Sequence, residues 1–292
     1  VIPRKFRVGF ATFPYGGNGG VSSESPELKH WFTKTRLAIE KDDRIDLSNG
    51  VWCLDKADTP ITMCRNFAIK AAHQAGVDCL VMYDSDMHPD NLLGLDSTAK
   101  PFWEVAFNFF CRWYDRGPCV LAAPYCGPPP HPRRGGSECP YIFTWEARSN
   151  HPDERWASLR MFERSEVAQR TGIEEVAAIG TGLMMLDMRL FEELPPPWFD
   201  YEWKDPPYNT EKASTEDVYF TRNCSMQGIP VYVLWDCWAG HVKQYESSKP
   251  RVLDPDTVCG PYREAVIRQY LKEQQEKGDH KPQPGTKAAG AK

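Results

Sequence analysis

Two carboxylates one residue apart close an apolar run in Asp78-Cys79-Leu80-Val81-Met82-Tyr83-Asp84-Ser85-Asp86-Met87-His88-Pro89. On an extended backbone, side chains two apart point the same way. Asp84 and Asp86 could therefore share one ion, or one could bind it directly and the other through water. Hard oxygen ligands of this kind suit magnesium or manganese carrying a phosphorylated substrate. Alone, an Asp-x-Asp reads as an acidic turn after a strand. Other groups of matching chemistry lie elsewhere in the chain. Ser214-Thr215-Glu216-Asp217 opens a helical pattern, although acids in a first turn also stabilise the positive helix end. Further on, a strand pattern leads into Gly240-His241-Val242-Lys243. Arg65, with Asn66 beside it, falls off the apolar stripe of another helix, where a guanidinium could reach a diphosphate bound at the strand ends.

These groups need elements to hold them, and the chain supplies strand-like runs alternating with helical patterns. That order predicts an α/β fold with a mostly parallel central sheet and helices on both faces. Strands are predicted at Phe6 to Thr12, Cys79 to Tyr83, Cys119 to Ala123, Glu175 to Leu186 and Pro230 to Trp235. Helices are predicted at Pro26 to Glu40, Thr59 to Ala75, Pro101 to Arg116, Glu154 to Gln169 and from Ser214 or Thr215 to Met226. Thr59 is a suitable N-cap with Pro60 at the first helical position. Ile61, Cys64, Ala68, Ala71, Ala72 and Ala75 recur at core-facing spacing. The turn Phe13-Pro14-Tyr15-Gly16-Gly17-Asn18 lets backbone approach a ligand but is not a P-loop, because no Gly-Lys-Ser/Thr ends it. Gly180-Thr181-Gly182 inside a strand signals a bulge or a close approach of ligand to backbone. Residues 125 to 150 form a long Pro/Gly-rich insertion, read as a functional loop. One domain over residues 1–273 is expected, with a disordered hydrophilic tail over 274–292.

Composition narrows the setting. Ten cysteines are scattered without paired short spacing, which argues against a zinc site, and no disulfide is needed in a chain of 292 residues. No apolar stretch approaches the ~20 residues of a membrane helix. A soluble, cytoplasmic protein without membrane association is the expectation. The formal net charge of -5 opposes wholesale attraction to nucleic acid while leaving room for a local basic patch.

Taken in order, Arg65-Asn66, Asp84-Ser85-Asp86, Gly180-Thr181-Gly182, Thr215-Glu216-Asp217 and Gly240-His241 resemble the metal-dependent GT-A glycosyltransferases, over about residues 6 to 245. Within that Rossmann-like fold the chain is most similar to the inverting family-2-like enzymes, including forms carried by phages. Asp-Ser-Asp followed by Met87-His88-Pro89-Asp90 is a specific match, as is Glu216-Asp217 with Tyr219-Phe220 behind it. The opening turn departs from the family's usual Pro-Thr-Tyr-Asn. The resemblance implies that Asp84, Asp86 and His241 hold Mn2+ or Mg2+, with Asp84 on the donor's ribose or the cation. It implies Arg65 and Lys243 at the diphosphate, and Thr12, Pro14, Tyr15 and Ser85 among the nucleotide contacts. Gly180, Thr181 and Gly182 would line the floor between donor sugar and acceptor. Asp217 would be the general base that takes the acceptor's proton, oriented by Glu216.

The implied activity is transfer of a hexose from a nucleoside-diphosphate sugar, with UDP-glucose as the base-rate donor, to a hydroxyl acceptor, with inversion favoured over retention. A nucleotidyltransferase or phosphohydrolase, or a non-catalytic nucleotide-sugar-binding module, are the competing classes. Against the former, the opening turn carries no lysine or arginine. The acceptor is open among a hydroxylated DNA base, a saccharide and a protein hydroxyl. For DNA, His131, Arg133, Arg134 and Arg148 stand among Tyr141, Phe143 and Trp145, a mixture suited to phosphates and exposed bases. For a sugar, Trp145, Trp156, Trp198 and Trp203 offer an aromatic platform. The oligomeric state is unassigned.

Overall fold

The computed structural model describes residues 4–14, 25–57, 60–127, 139–146, 159–204, 206–210, 212–242 and 246–247. Seven strands form the central sheet: β1 (Val8–Phe13), β2 (Trp52–Asp55), β3 (Cys79–Asp84), β5 (Val120–Ala122), β10 (Ile173–Glu175), β12 (Leu183–Asp187) and β15 (Val231–Leu234), in the order β10-β15-β5-β12-β3-β1-β2. β2, β1 and β3 are parallel, as are β5 and β15, whereas β12 runs antiparallel to both β3 and β5, and β10 to β15. Five of the seven therefore share one direction, the mostly parallel α/β sheet read from the sequence. β12 is the reversed strand at its centre, and it places the Gly180-Thr181-Gly182 segment before it at the same end of the sheet as the end of β3.

Strand alternation explains the two cores. Ala11, Phe13, Leu80 and Met82 face one side with Cys64, Ala68 and Ala72 of helix α2 (Ile61–Gln74) and Phe220 and Cys224 of α6 (Glu216–Met226). Val8, Phe10, Val81 and Tyr83 face the other with Leu28 and Trp31 of α1 (Pro26–Ile39) and Phe102, Phe107 and Phe110 of α3 (Phe102–Trp113). A period of two along each strand meets a period near 3.6 along each helix, so both faces bury apolar area. Ser25 caps α1 by accepting from the Leu28 N–H at 3.0 Å, with Pro26 in the first turn. α2 starts after Pro60 and ends before Gly76, whose φ of 68° suits glycine; Thr59 lies outside the described residues. The aromatic helix ends at Trp113 and continues as a 3-10 turn over Tyr114–Arg116.

Several short strands were not foreseen. β4 (Met87–His88) pairs with β16 (Gly240–Val242), and β16 with β17 (Glu246–Ser247). The predicted loop after Pro124 contains β6 (Cys126–Gly127), paired with β7 (Cys139–Pro140), and β8 (Ile142–Trp145). The helix predicted over 154–169 is overturned where the structure describes it. Leu159–Met161 forms β9, in antiparallel register with β8, and only Arg164–Val167 is helical (α4). Cross-strand pairing to a distant segment outweighs the local helical pattern there. β8 also pairs with β11 (Ala178–Ile179), so the run predicted as one strand over 175–186 is split. β11 belongs to the small sheet and β12 to the large one, and Gly180-Thr181-Gly182 carries the chain between them. α5 (Leu190–Glu193) then precedes a hairpin of β13 (Glu202–Trp203) and β14 (Lys212–Ser214).

Candidate active site

Asp84 ends β3 and Asp86 follows in a turn, so strand alternation does not relate the two, although Asp86 stands near enough to raise the Asp84 pKa. β3 ends at Asp84, in register with Phe13, and a turn at Ser85 and Asp86 reverses the chain into β4. Asp84 keeps the face it shares with Met82 and meets α2. Asp86 is delivered to β16, where its carbonyl accepts from the Val242 N–H at 2.7 Å and its Oδ2 lies 3.4 Å from His241 Nε2.

On the α2 side, Arg65 is only 3% exposed, although the sequence pattern set it off the apolar stripe. One nitrogen reaches both Asp84 oxygens, at 2.8 and 2.9 Å, and the other reaches Glu216 Oε1 at 3.1 Å. The guanidinium also stands 5.4 Å from the Phe199 ring centroid. Burial pulls the Arg65 pKa down, but the carboxylates of Asp84, Glu216 and Asp217 outweigh it, and the pKa ends above its ordinary value. Burial raises the Asp84 and Glu216 pKa values, with Arg65 opposing; Asp86 adds to the rise at Asp84, and Asp217 adds to it at both. Arg65 thus directs its two terminal nitrogens at two carboxylates, while its buried Nε has no hydrogen-bond partner among the described residues. Neighbouring Asn66 holds the chain beside it, donating to the Phe199 carbonyl at 2.8 Å and accepting from the Trp198 and Phe199 N–H groups.

Asp217 sits in the first turn of α6. Its Oδ1 accepts from the Thr215 hydroxyl and from the Val218 N–H, the latter at 2.9 Å. Thr215 therefore holds the side chain of Asp217 and makes no side-chain cap to the helix backbone. Thr221, one turn on, accepts from the Ile179 N–H at 3.1 Å, which ties α6 to the segment leading into Gly180.

A residue unmarked by sequence reasoning fills the middle. Tyr125 is buried, its ring is edge-on to His241 with centroids 5.4 Å apart, and it lies under Gly180 and Gly182. A Cβ on Gly180 would collide with the Tyr125 hydroxyl and come 2.8 Å from Cζ, and one on Gly182 would come 2.7 Å from the Met87 sulfur. The two glycines are accordingly required by protein packing. Thr181 between them is buried, and its hydroxyl has no hydrogen-bond partner. Burial pushes the Tyr125 phenol well above its ordinary pKa, with Asp217 and Asp84 adding to the rise. Tyr125 thus feels the charge of both Asp217 and Asp84. The paired glycines around one threonine were the sequence's signal that something bulky comes close.

The remaining nucleotide-contact residues divide. Thr12 is buried with an unpartnered hydroxyl, on the opposite sheet face from Asp84. Pro14 is partly exposed at the end of the described opening turn, and Ser85 is buried. Tyr15, Lys243, His131, Arg133, Arg134, Arg148 and Trp156 lie outside the described residues, as does the segment 274–292.

Among the described residues no three His, Cys, Asp or Glu side chains are arranged to hold a metal ion. Asp86 and His241 nevertheless fit one. The Cys126 carbonyl lies 3.2 Å from His241 Nδ1 and can only accept, so the proton of a neutral ring is on Nδ1 and the Nε2 lone pair points at Asp86. At 3.4 Å, His241 Nε2 and Asp86 Oδ2 are placed either for an ion pair with a protonated ring or for a shared cation. Ligands about 2.1 Å from a shared ion stand roughly 3.0–3.5 Å apart.

No family model matches the sequence, and no curated protein matches it. Among solved structures the chain is similar to A197 from STIV, at 16% identity over 87% of this chain and 97% of that one, with a TM-score of 0.48. It is also similar to a UDP-glucose pyrophosphorylase complexed with UDP-glucose, at 9% identity, 91% and 99% coverage and a TM-score of 0.42. A CMP:2-keto-3-deoxy-manno-octonic acid synthetase complexed with CTP gives 10% identity, 92% and 99% coverage and a TM-score of 0.36. No helix among the described residues is long and apolar enough to cross a membrane.

Proposed function

We propose that this chain is a metal-dependent glycosyltransferase that moves a hexose from a nucleoside-diphosphate sugar, with UDP-glucose first to be tested, to a hydroxyl acceptor with inversion. The observation that carries it is the convergence of Asp86 and His241, 3.4 Å apart, beside an Asp84 held by the same Arg65 that holds the start of α6 and so of Asp217. A divalent cation at Asp86 and His241 would offset the charge that grows on the departing diphosphate. Asp217 takes the proton of the acceptor hydroxyl as its oxygen bonds to the anomeric carbon. The bond from that carbon to the diphosphate oxygen breaks, and its electron pair leaves with the diphosphate. Arg65 positions Asp84 and Glu216, and Glu216 orients the acceptor side.

The test is incubation of the full chain with nucleotide sugars and Mn2+, following nucleoside diphosphate release and the anomeric configuration of the product. Release of a nucleoside diphosphate that falls on His241→Ala supports the reading. Formation of a nucleoside triphosphate from pyrophosphate and the same donor would establish nucleotidyl transfer instead. Binding of a nucleotide sugar without turnover would leave a binding module.

A further inference from the structure

The far side of the His241 ring from Asp86 has a single hydrogen-bond restraint, the Cys126 carbonyl at 3.2 Å from Nδ1. A ring flip exchanges Nδ1 with Cδ2 and Nε2 with Cε1. It would break that bond and turn Nε2 from the Asp86 carboxylate, 3.4 Å away. A lone hydrogen bond of this length is a weak guard against such a flip. Something else must hold the imidazole.

The segment Pro124-Tyr125-Cys126 lies along Ala239-Gly240-His241 and supplies a second restraint. At one end the Pro124 carbonyl accepts from the Ala239 N–H at 3.0 Å, and at the other the Cys126 carbonyl meets His241 itself. Between these bonds the Tyr125 ring crosses the imidazole at 81°, with centroids 5.4 Å apart. A ring so placed blocks the volume that a turning imidazole sweeps.

Tyr125 can act as a wall because it is itself clamped. Tyr141 crosses it at 78° with centroids 5.6 Å apart, and the Tyr141 N–H donates to the Tyr125 carbonyl at 3.3 Å. Above it the Gly180 N–H donates to the Tyr141 carbonyl at 2.8 Å, and a Cβ added to Gly182 would come 3.1 Å from Tyr125 Cε1 and Cζ. At 5% exposure the ring is packed on every side. Its hydroxyl has no hydrogen-bond partner among the described residues, so the flat shape of the ring carries the restraint. A smaller aliphatic side chain would open a gap in which the imidazole can turn.

We infer that Tyr125 is a positioning residue for His241, a wall that keeps Nδ1 on the Cys126 carbonyl and Nε2 on Asp86 before any cation arrives. As preparation of a cation ligand this rests on the glycosyl-transfer reading, whereas the ring orientation does not. The test is imidazole nitrogen NMR of the full chain at about pH 8.5, above the usual imidazole range, with His241→Ala supplying the assignment. Beside it, Mn2+ alone is titrated and the free ion followed by electron paramagnetic resonance. The wild type should show the Nδ1–H form of His241. Tyr125→Leu should convert a measurable share to the Nε2–H form and raise the Mn2+ Kd about tenfold or more. Tyr125→Phe keeps the ring and should leave both readouts near wild type. Should the leucine variant fail to fold, Tyr125→Met, unbranched and flexible, takes its place with the same expectation. Three results would overturn the proposal: a wild type in the Nε2–H form, a folded Leu or Met variant with tautomer and Mn2+ affinity unchanged, or a Tyr125→Phe variant that loses as much as the leucine one. A wild type that holds the Nδ1–H form and loses it in Tyr125→Leu, yet binds no Mn2+, would remove the metal reading alone.

Discussion

Arg65 closes a two-bond ion pair with Asp84 at 2.8 and 2.9 Å from a position with almost no solvent contact. Removing the guanidinium would strand two half-buried carboxylates, since Glu216 shares it at 3.1 Å. Arg65→Met should destabilise the chain by about 3–5 kcal/mol, read from urea unfolding. Arg65→Lys should recover only part of this, because a single ammonium cannot reproduce the planar fork. A variant as stable as the wild type would show that the pair contributes nothing.

Asp217 is argued to act only while a proton moves. Asp217→Asn should lower kcat by about 10²–10⁴-fold and leave the donor Kd within a factor of about two. Calorimetric titration of the donor beside turnover separates these quantities. A loss of donor affinity equal to the loss of rate would reassign Asp217 to binding.

Gly180 packs against Tyr125, and the clash that a methyl group would meet begins at the phenol oxygen. Gly180→Ala should cost about 1–3 kcal/mol through overpacking. Tyr125→Phe in the same chain should return part of it, leaving a coupling of about 0.5 kcal/mol or more in a double-mutant cycle. Additive effects would mean that the loop relaxes away from the ring.

Glu166 binds Arg160 through both oxygens, at 2.7 and 2.9 Å, and accepts from the Glu163 N–H; these bonds, with Arg160 foremost, hold its carboxyl down to about 2. A folded-state pKa below the unfolded one stabilises the fold above the ordinary carboxylate range. That contribution is lost as pH falls from about 4.3 toward about 2. The pair is partly solvated, so its contribution is small, about 0.2–1 kcal/mol. Glu166→Gln should flatten this limb of the stability profile in acid titrations and leave neutral pH nearly unchanged beyond that amount. A profile identical to the wild type would remove the pair as a cause.

Elements with their own local signals were legible in the sequence: α2 through its alanine stripe, β3 and β15 through their apolar runs. β4, β9 and β16 were not, because strands of two or three residues exist only through partners far along the chain. The same limit governed the site. Asp84, Asp86, Asp217 and His241 stood out by motif order, yet the tie of Asp86 to β16 depends on residues a long way downstream. Arg65 was misplaced on its helix because the carboxylates that draw it inward lie 19 and 151 residues away. Tyr125 had no motif of its own, and only the glycines it excludes hinted at it.

The Asp84 N–H donates to the Gly182 carbonyl at 2.9 Å, and two residues before Gly180 begins the short stretch where Ile179 is bonded to Thr221 of α6. A main-chain bond thus ties the end of β3 to Gly182, and the Thr221 hydroxyl ties Ile179 to the helix bearing Asp217. The spacing between Asp84 and Asp217 is consequently set by one main-chain bond and one threonine hydroxyl, like the gauge of a track. Of the two ties, the threonine hydroxyl is the one that a side-chain change can alter.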